Sequence, residues 1–150
     1  MSTRSYILKE IKKDEYVGAY CHWDGYPEGV GATLVEHYQD ADKVAKLISL
    51  GSMSCLEKNI EPEEGEEHSF DHPAKNVTVY YGRDRGETGD AIKPKKFKNM
   101  NSAIGYAKGC WCEFVYLFTQ EGVWKFIPTY EKDHDNWTNL REYLDEQGVI

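Results

Sequence analysis

Hydrophobic and polar residues alternate near the start of the chain in a pattern that predicts a β-hairpin. The segments 5–11 and 15–22 are rich in aromatic and β-branched residues, which strands favour. The polar residues 12–14 lie between them and suit a turn. We therefore expect two antiparallel strands at the N-terminus.

The spacing of apolar residues then changes to one that is typical of helices. Apolar residues within 28–38 fall on one side of a short helix. Asp40 is a favourable N-cap for a second helix, because its carboxylate can accept a hydrogen bond from a free backbone N–H of the first turn. That helix would bury the apolar residues of 44–48 and end at Gly51.

The rest of the chain predicts three more strands and two helices. Segment 76–81 alternates clearly, and the segments 112–119 and 122–127 form the clearest hairpin pattern in the sequence. Ser102 is expected to cap a short helix that ends near Lys108. Four large apolar residues recur at helical spacing near the C-terminus, namely Trp137, Leu140, Tyr143 and Leu144.

These elements predict one α+β domain that covers residues 1–150. A chain of this length buries roughly 70% of the surface that its unfolded form exposes, which is enough for a single core. We expect a mostly antiparallel sheet of about five strands with helices packed on one face. Residues 57–72 are predicted to be an exposed acidic loop, because five Glu, a Pro and a Gly fall within residues 61–67.

The composition excludes several classes of protein. The chain holds 26 Asp and Glu against 18 Lys and Arg, which gives a net charge of -8. Because Lys and Arg supply most of the affinity for a phosphate backbone, we expect no binding to duplex DNA. The 4 Cys are irregularly spaced, and there is neither an apolar signal region nor a long apolar run, so we expect a cytoplasmic protein without a membrane segment.

The first cluster of candidate site residues lies where the second strand ends. Trp23 and Tyr26 could offer flat faces to a base or another planar ligand, and His22 and Asp24 could bind its edge. An alternative is equally compatible with the sequence: the aromatic rings fill the core, and Asp24 only allows the chain to turn.

The second cluster combines His68, Asp71 and His72 at the end of the acidic loop. Two histidines four residues apart could bind a metal on a helix, but Pro73 argues against a helix here. Without the Glu of a zinc-protease motif this pattern is weak, so we expect no metal and no cofactor.

The third cluster is Arg83 and Arg85 in a glycine-containing loop, within the basic segment 73–110, which carries 8 Lys and Arg against 3 Asp and Glu. Guanidinium groups bind phosphate or carboxylate through two parallel hydrogen bonds. Alternatively, Asp84 and Glu87 simply neutralise the two arginines. Four lysines follow, at positions 93, 95, 96 and 98, and such a run most often marks a solvated surface.

The sequence contains no established catalytic motif of a serine hydrolase, a P-loop or a dinucleotide-binding fold. A Cys–His nucleophile pair would require Cys21 to meet a distant histidine, because Cys21 and His22 are neighbours on a strand and point to opposite faces. We therefore expect binding rather than catalysis.

Three strings in the chain resemble a group of small uncharacterised proteins encoded by phages and prophages. They are Tyr-Cys-His-Trp-Asp-Gly-Tyr-Pro at 20–27, His-Ser-Phe-Asp-x-Pro at 68–73 and Arg-Asp-Arg-Gly-Glu at 83–87. The resemblance covers roughly residues 16–87. It implies an accessory protein of a mobile element that works in the cytoplasm of a host cell, where counter-defence and host takeover are common roles.

Three hypotheses of function follow. The first is a counter-defence protein that sequesters a small anionic, nucleotide-like ligand with Trp23, Tyr26, Arg83 and Arg85. The second is an acidic inhibitor that binds a host bacterial protein, for instance at a nucleic-acid-binding face. The third is an enzyme that acts on a nucleotide through His22, His68 or His72. The oligomeric state stays open.

Overall fold

The computed structural model describes residues 2–150 and begins with the hairpin that the alternation predicts. β1 (Arg4–Lys12) and β2 (Glu15–Cys21) pair antiparallel, with Ile7 opposite Ala19. Asp14 occupies the turn with a φ of 59°, a left-handed conformation that aspartate tolerates better than most residues. The first predicted supersecondary unit is thus confirmed.

The helical region after the hairpin is also confirmed. A π-helical turn (Pro27–Gly31) leads directly into α1 (Ala32–His37), and α2 (Ala41–Ser49) follows. The carboxylate of Asp40 accepts a hydrogen bond from the backbone N–H of Lys43 at 3.0 Å, as expected for an N-cap. Gly51 lies beyond the end of α2 with a φ of 86°.

The remaining elements include four strands of only two or three residues, and three of these strands carry no recognisable sequence pattern. The chain continues with β3 (Met53–Cys55), β4 (Val79–Tyr80), a 3-10 turn (Asp90–Ile92), β5 (Lys95–Phe97), α3 (Met100–Gly109), β6 (Cys112–Phe118), β7 (Trp124–Pro128), β8 (Thr138–Asn139) and α4 (Leu140–Glu146). The predicted strand over 76–81 is reduced to the two residues of β4. The cap of α3 is Asn99 rather than Ser102, since the Asn99 side chain accepts a hydrogen bond from the Ser102 N–H.

The sheet differs from the prediction in size and in strand direction. It has eight strands in the order β4-β3-β2-β1-β6-β7-β8, and β5 pairs with β2 beside this path. β1 pairs parallel with β6, and β2 pairs parallel with β3. The sheet is therefore mixed, and the expectation of a mostly antiparallel sheet of about five strands was wrong. Hairpins leave a local signature, whereas the pairing of β1 with β6 joins segments that are far apart in the sequence.

Helices cover both faces of the sheet, which corrects the expectation of helices on one face. Ile7 of β1 belongs to the larger core cluster, together with residues of α1, α2 and α4. Its neighbours Tyr6 and Leu8 point to the other face and join Ala103, Ile104 and Ala107 of α3. A central strand that is apolar on both faces needs cover on both sides.

Residues 57–72 contain neither helix nor strand, and most of their side chains are exposed. Within residues 2–150, no helix combines the length and the apolar character that crossing a membrane requires.

Candidate functional site

A cleft of about 280 Å³ lies beside the turn that follows β2. Three of the residues that the sequence suggested, Trp23, Asp24 and Tyr26, form part of its wall. The π-helical turn and α1 form the second side, and residues 55–57 after β3 form the third. We call this cavity the acidic cleft, because four of the residues that line it are Asp or Glu.

The turn that carries Trp23 and Tyr26 is held tightly against the sheet. Gly25 donates its N–H to the carbonyl oxygen of Thr3 at 2.8 Å and accepts a hydrogen bond from the hydroxyl of Tyr116 at 2.5 Å. A Cβ at Gly25 would lie 2.8 Å from both Thr3 O and Ser5 Cβ, which leaves no room for any other residue. The close backbone approach explains why the sequence has glycine here.

Asp24 adopts a left-handed backbone conformation with a φ of 56°. Its carbonyl oxygen accepts the N–H of Val30 at 2.8 Å, and this bond connects the turn to the π-helical segment. The Tyr26 hydroxyl lies 3.4 Å from Oδ1 of Asp24. These contacts position the Asp24 carboxylate at the mouth of the acidic cleft.

The two aromatic residues of the cleft are substantially exposed. Trp23 has 45% and Tyr26 has 41% of its surface accessible, so neither residue fills the core. The backbone N–H of Trp23 donates to Ser54 O at 3.0 Å, which anchors the backbone of this residue to β3. The alternative in which both rings fill the core is therefore wrong.

His22 lies next to this site without lining the acidic cleft. Its Nδ1 is 2.7 Å from the hydroxyl of Tyr20, and its ring meets the indole of Trp23 edge to face at 4.8 Å between centroids. Burial lowers the pKa of His22, and the positive charge of Arg4 lowers it further. The imidazole is thus neutral near pH 7 and supports the orientation of Trp23.

The charge of the cleft comes from residues that the sequence analysis did not select. Four acidic residues line it, namely Asp24, Glu28, Glu36 and Glu57. Within residues 2–150, no Lys or Arg lines the same cavity, and the one residue with a basic side chain is His37. Acidic residues therefore outnumber basic residues on the described wall of the cleft.

Glu57 reaches the cleft because its backbone is fixed by two buried hydroxyl groups. The Tyr38 hydroxyl donates to Glu57 O at 2.6 Å, and the N–H of Glu57 donates to Thr78 Oγ1 at 3.0 Å. Glu28 and Glu36 lie eight residues apart, and this helical spacing could have indicated from the sequence that both line one surface. Nothing local indicated Glu57.

Arg83 and His68 belong to a separate, structural cluster. The Arg83 guanidinium donates Nη1 to Ile60 O at 2.7 Å, Nη2 to Thr78 O at 2.9 Å and Nε to Asp84 Oδ1 at 2.8 Å. Its carbon also lies 4.9 Å from the ring centroid of Tyr80. With these partners the guanidinium fastens the acidic loop to the sheet.

His68 also has both ring nitrogens occupied. Its Nδ1 accepts the backbone N–H of Ala74 at 2.9 Å, and its Nε2 lies 3.1 Å from Asp84 Oδ2 and 3.3 Å from Arg83 Nη2. No nitrogen of this ring is left to take a proton from a substrate. His68 therefore does not serve as a general base in this arrangement.

The remaining candidates lie on the surface of the same loops. Arg85 is exposed, and its guanidinium carbon lies 4.8 Å from the ring centroid of Phe70 while Nε is 3.7 Å from Glu87. Asp71 and His72 are exposed, and the His72 N–H donates to Ser69 Oγ at 3.1 Å. Among residues 2–150 there is no group of three metal-binding side chains.

The structure therefore separates the three sequence clusters. Trp23, Asp24 and Tyr26 line the acidic cleft, whereas Arg83 and Arg85 are absent from its wall within residues 2–150. Cys21 is completely buried, and burial is the main factor that raises the pKa of its thiol to about 12, so it is not an activated nucleophile.

Comparison with models of known protein families finds no match to this chain, and comparisons with curated proteins and with solved structures also find none. The chemistry of the site has to be inferred from the side chains that form it.

Proposed function

We propose that this protein binds a basic segment of another protein in the acidic cleft. The observation that carries the proposal is the combination of two exposed aromatic rings, Trp23 and Tyr26, with four carboxylates around one cavity of about 280 Å³. Aromatic faces next to carboxylates are the surroundings that a Lys or Arg side chain prefers.

Two effects favour a cationic side chain in this cavity. A guanidinium or ammonium group over the face of Trp23 gains a cation–π contact of roughly 0.5–1 kcal/mol at an exposed site. Carboxylates such as Glu36 and Glu57 can bind the same group through charge-assisted hydrogen bonds. The net charge of -8 adds long-range attraction, which speeds association with a basic partner.

The same charges disfavour an anion in this cleft. A phosphate placed between Asp24, Glu28 and Glu57 would meet like charges without a Lys or Arg on the described wall. Of the functions that the sequence suggests, an acidic inhibitor of a basic protein surface thus agrees best with the acidic cleft. The resemblance to phage and prophage proteins makes a host protein the expected partner, and a nucleic-acid-binding face would supply the required basic residues.

Calorimetric titration with short peptides tests this proposal. A glycine-rich peptide with three arginines should bind, and the same peptide with citrulline, which is uncharged, should bind much more weakly. Binding should weaken as the salt concentration rises, because exposed ion pairs are screened. Equal binding of the arginine and citrulline peptides would contradict the proposal.

Variants of the protein locate the binding site. Trp23→Ala should weaken binding of the arginine peptide about two- to fivefold, given the usual strength of a cation–π contact. The double variant E28Q/E36Q should weaken it by about tenfold, since each exposed ion pair contributes up to about 1 kcal/mol. The matched control E113Q/E146Q removes the same charge from exposed positions outside the cleft. Equal loss in both double variants would show general attraction instead of a defined site.

A further inference from the structure

A second charged surface lies at the far end of β2 from the acidic cleft. It surrounds a hollow of about 350 Å³ beside the turn between β1 and β2. Four exposed lysines line this hollow, namely Lys12, Lys13, Lys96 and Lys98. We call these four residues the lysine tip. None of them lines the acidic cleft.

Two distant parts of the chain form the lysine tip. Lys12 is the last residue of β1, and Lys13 follows it in the turn. Lys96 belongs to β5, where it is opposite Val17 of β2. Because β5 runs antiparallel to β2, the chain at Lys98 returns to the turn. Part of the lysine run that the sequence suggested to be a solvated surface thus meets a second pair of lysines.

The positive charge of the lysine tip is only partly neutralised. Asp14 and Glu15 also line the hollow, so the lysines outnumber the acidic residues four to two. Among the ion pairs of residues 2–150, only the one between Lys12 and Glu15, at 3.4 Å, involves a lysine of the tip. The remaining lysines of the tip therefore attract an acidic surface of a partner.

The sheet holds the lysine tip away from the acidic cleft of the same molecule. β2 has 7 residues, so it spans roughly 20 Å at about 3.4 Å per residue. The tip lies at the first residue of this strand, Glu15, whereas the cleft begins at Trp23, after the strand has ended at Cys21. Since β2 pairs with β1 along its whole length, this separation is fixed. The tip of one molecule therefore reaches only the cleft of another molecule.

We propose that the lysine tip of one copy of this chain binds in the acidic cleft of a second copy. The proposal rests on the proposed function, since the tip is a basic segment of the kind that the cleft binds. An ammonium group of the tip lies against the exposed ring of Trp23, and the carboxylate of Glu36 accepts its hydrogen bonds. Residues 11–14 are all exposed, so the turn presents its lysines without a rearrangement of the fold.

The contact joins two different surfaces, so the copies associate head to tail. Each pair leaves one tip and one cleft unoccupied, and the assembly grows into longer chains as the protein concentration rises. A cleft that holds the tip of a second copy does not accept another basic segment. Self-association therefore competes with the binding of a basic partner and regulates access to the acidic cleft.

Sedimentation velocity of the full chain over a range of concentrations tests the proposal. The average sedimentation coefficient should rise with protein concentration and fall as salt is added, because exposed ion pairs are screened. The variants K13Q/K96Q and E28Q/E36Q should each weaken self-association by about tenfold, since each removes two charges from the contact. A wild-type sedimentation coefficient that stays constant over the whole concentration range would overturn the proposal.

A mixture of the two variants identifies the two surfaces. K13Q/K96Q keeps the cleft intact and E28Q/E36Q keeps the tip intact, so an equimolar mixture should form heterodimers that grow no further. The matched control K108Q/K132Q removes two exposed lysines outside the tip and should associate like the wild type. A mixture that stays monomeric, or an equal loss in the control, would overturn the proposal.

The arginine peptide separates this proposal from the proposed function. An excess of the peptide should dissociate the wild-type assemblies, because the peptide and the lysine tip occupy the same cleft. Binding of the peptide to a chain that does not self-associate would overturn the role of the tip and leave the proposed function intact. Self-association that resists the peptide, although the peptide binds, would place the contact outside the cleft and also overturn this proposal.

Discussion

The Nε2 atom of His68 lies 3.1 Å from Oδ2 of Asp84, and both side chains are almost completely buried, with 3% and 4% of their surface exposed. Asp84 also accepts the N–H of Tyr80 at 2.8 Å and the Nε–H of Arg83 at 2.8 Å. This carboxylate therefore joins the loop that contains His68 to β4. The second and third clusters of the sequence analysis therefore meet at this carboxylate and stabilise the fold.

Replacement of Arg83 should destabilise the protein far more than replacement of Arg85. Arg83→Ala leaves the buried Asp84 carboxylate without its main partner, which typically costs about 3–5 kcal/mol. Arg85→Ala removes an exposed side chain that makes a long contact to Glu87 and a cation–π contact to Phe70, so it should cost only about 1–2 kcal/mol. Urea denaturation followed by circular dichroism measures both changes. Similar values for the two variants would contradict a structural role of Arg83.

Stability should fall in acid because of Asp84. Burial alone would raise the pKa of this carboxyl, but hydrogen bonds from Arg83 and from the Tyr80 N–H, with the charge of Arg83, bring it below the usual 3.8. The folded state therefore binds its proton less readily than the unfolded state. The resulting stabilisation is fully present above the unfolded-state pKa and is lost as the pH falls through the lower folded-state pKa.

The variant Asp84→Asn isolates this effect. Its free energy of unfolding should depend less on pH below about pH 5 than that of the wild type, whatever its absolute stability. Urea titrations at several pH values provide the comparison. An unchanged slope would show that other carboxyl groups cause the acid sensitivity.

Trp23 should matter little for stability, whereas Trp124 should matter greatly. Trp23 is 45% exposed, so Trp23→Ala should cost about 1 kcal/mol or less. Trp124 is 5% exposed and donates Nε1–H to Tyr38 O at 2.8 Å, so Trp124→Ala should cost roughly 3–5 kcal/mol. Thermal unfolding of both variants checks the difference. A large loss for Trp23→Ala would mean that its indole serves packing and that its effect on peptide binding is indirect.

Two glycine substitutions should have opposite effects. A Cβ at Gly25 would lie 2.8 Å from Thr3 O, so Gly25→Ala should move the turn of the acidic cleft and destabilise the fold by about 1–3 kcal/mol. Gly105 lies within α3 with nothing within 4 Å of its added Cβ, so Gly105→Ala should stabilise by about 0.4–1 kcal/mol. Differential scanning calorimetry shows the sign of each change. Stabilisation by Gly25→Ala would contradict the tight contact of the turn.

Part of the acidic cleft could be predicted from the sequence. Trp23, Asp24 and Tyr26 follow a predicted strand and fall in a turn, and such positions favour binding side chains.

The basic segment 73–110 also suggested an anion site at Arg83 and Arg85, but the structure engages the Arg83 guanidinium with Asp84 and with the carbonyl oxygens of Ile60 and Thr78. The pairing of Arg83 with Asp84 was one of the two alternatives that the sequence suggested, and the structure has it. The carbonyl partners of Arg83, at Ile60 and Thr78, left no local signal.

Local sequence patterns are enough to specify the short-range elements, because side-chain periodicity and caps act over a few residues. The hairpin of β1 and β2, the helix that Asp40 caps and the hairpin of β6 and β7 all have this origin. The tertiary structure alone decided that β1 and β6 run parallel and that α3 covers a second face. Glu57 lines the same cleft as Glu28 and Glu36. Its backbone is held there by hydrogen bonds to the hydroxyl groups of Tyr38 and Thr78, which are distant in the sequence, so no local pattern encodes this contact. The acidic lining of the cleft therefore depends on long-range contacts as well as on the local sequence.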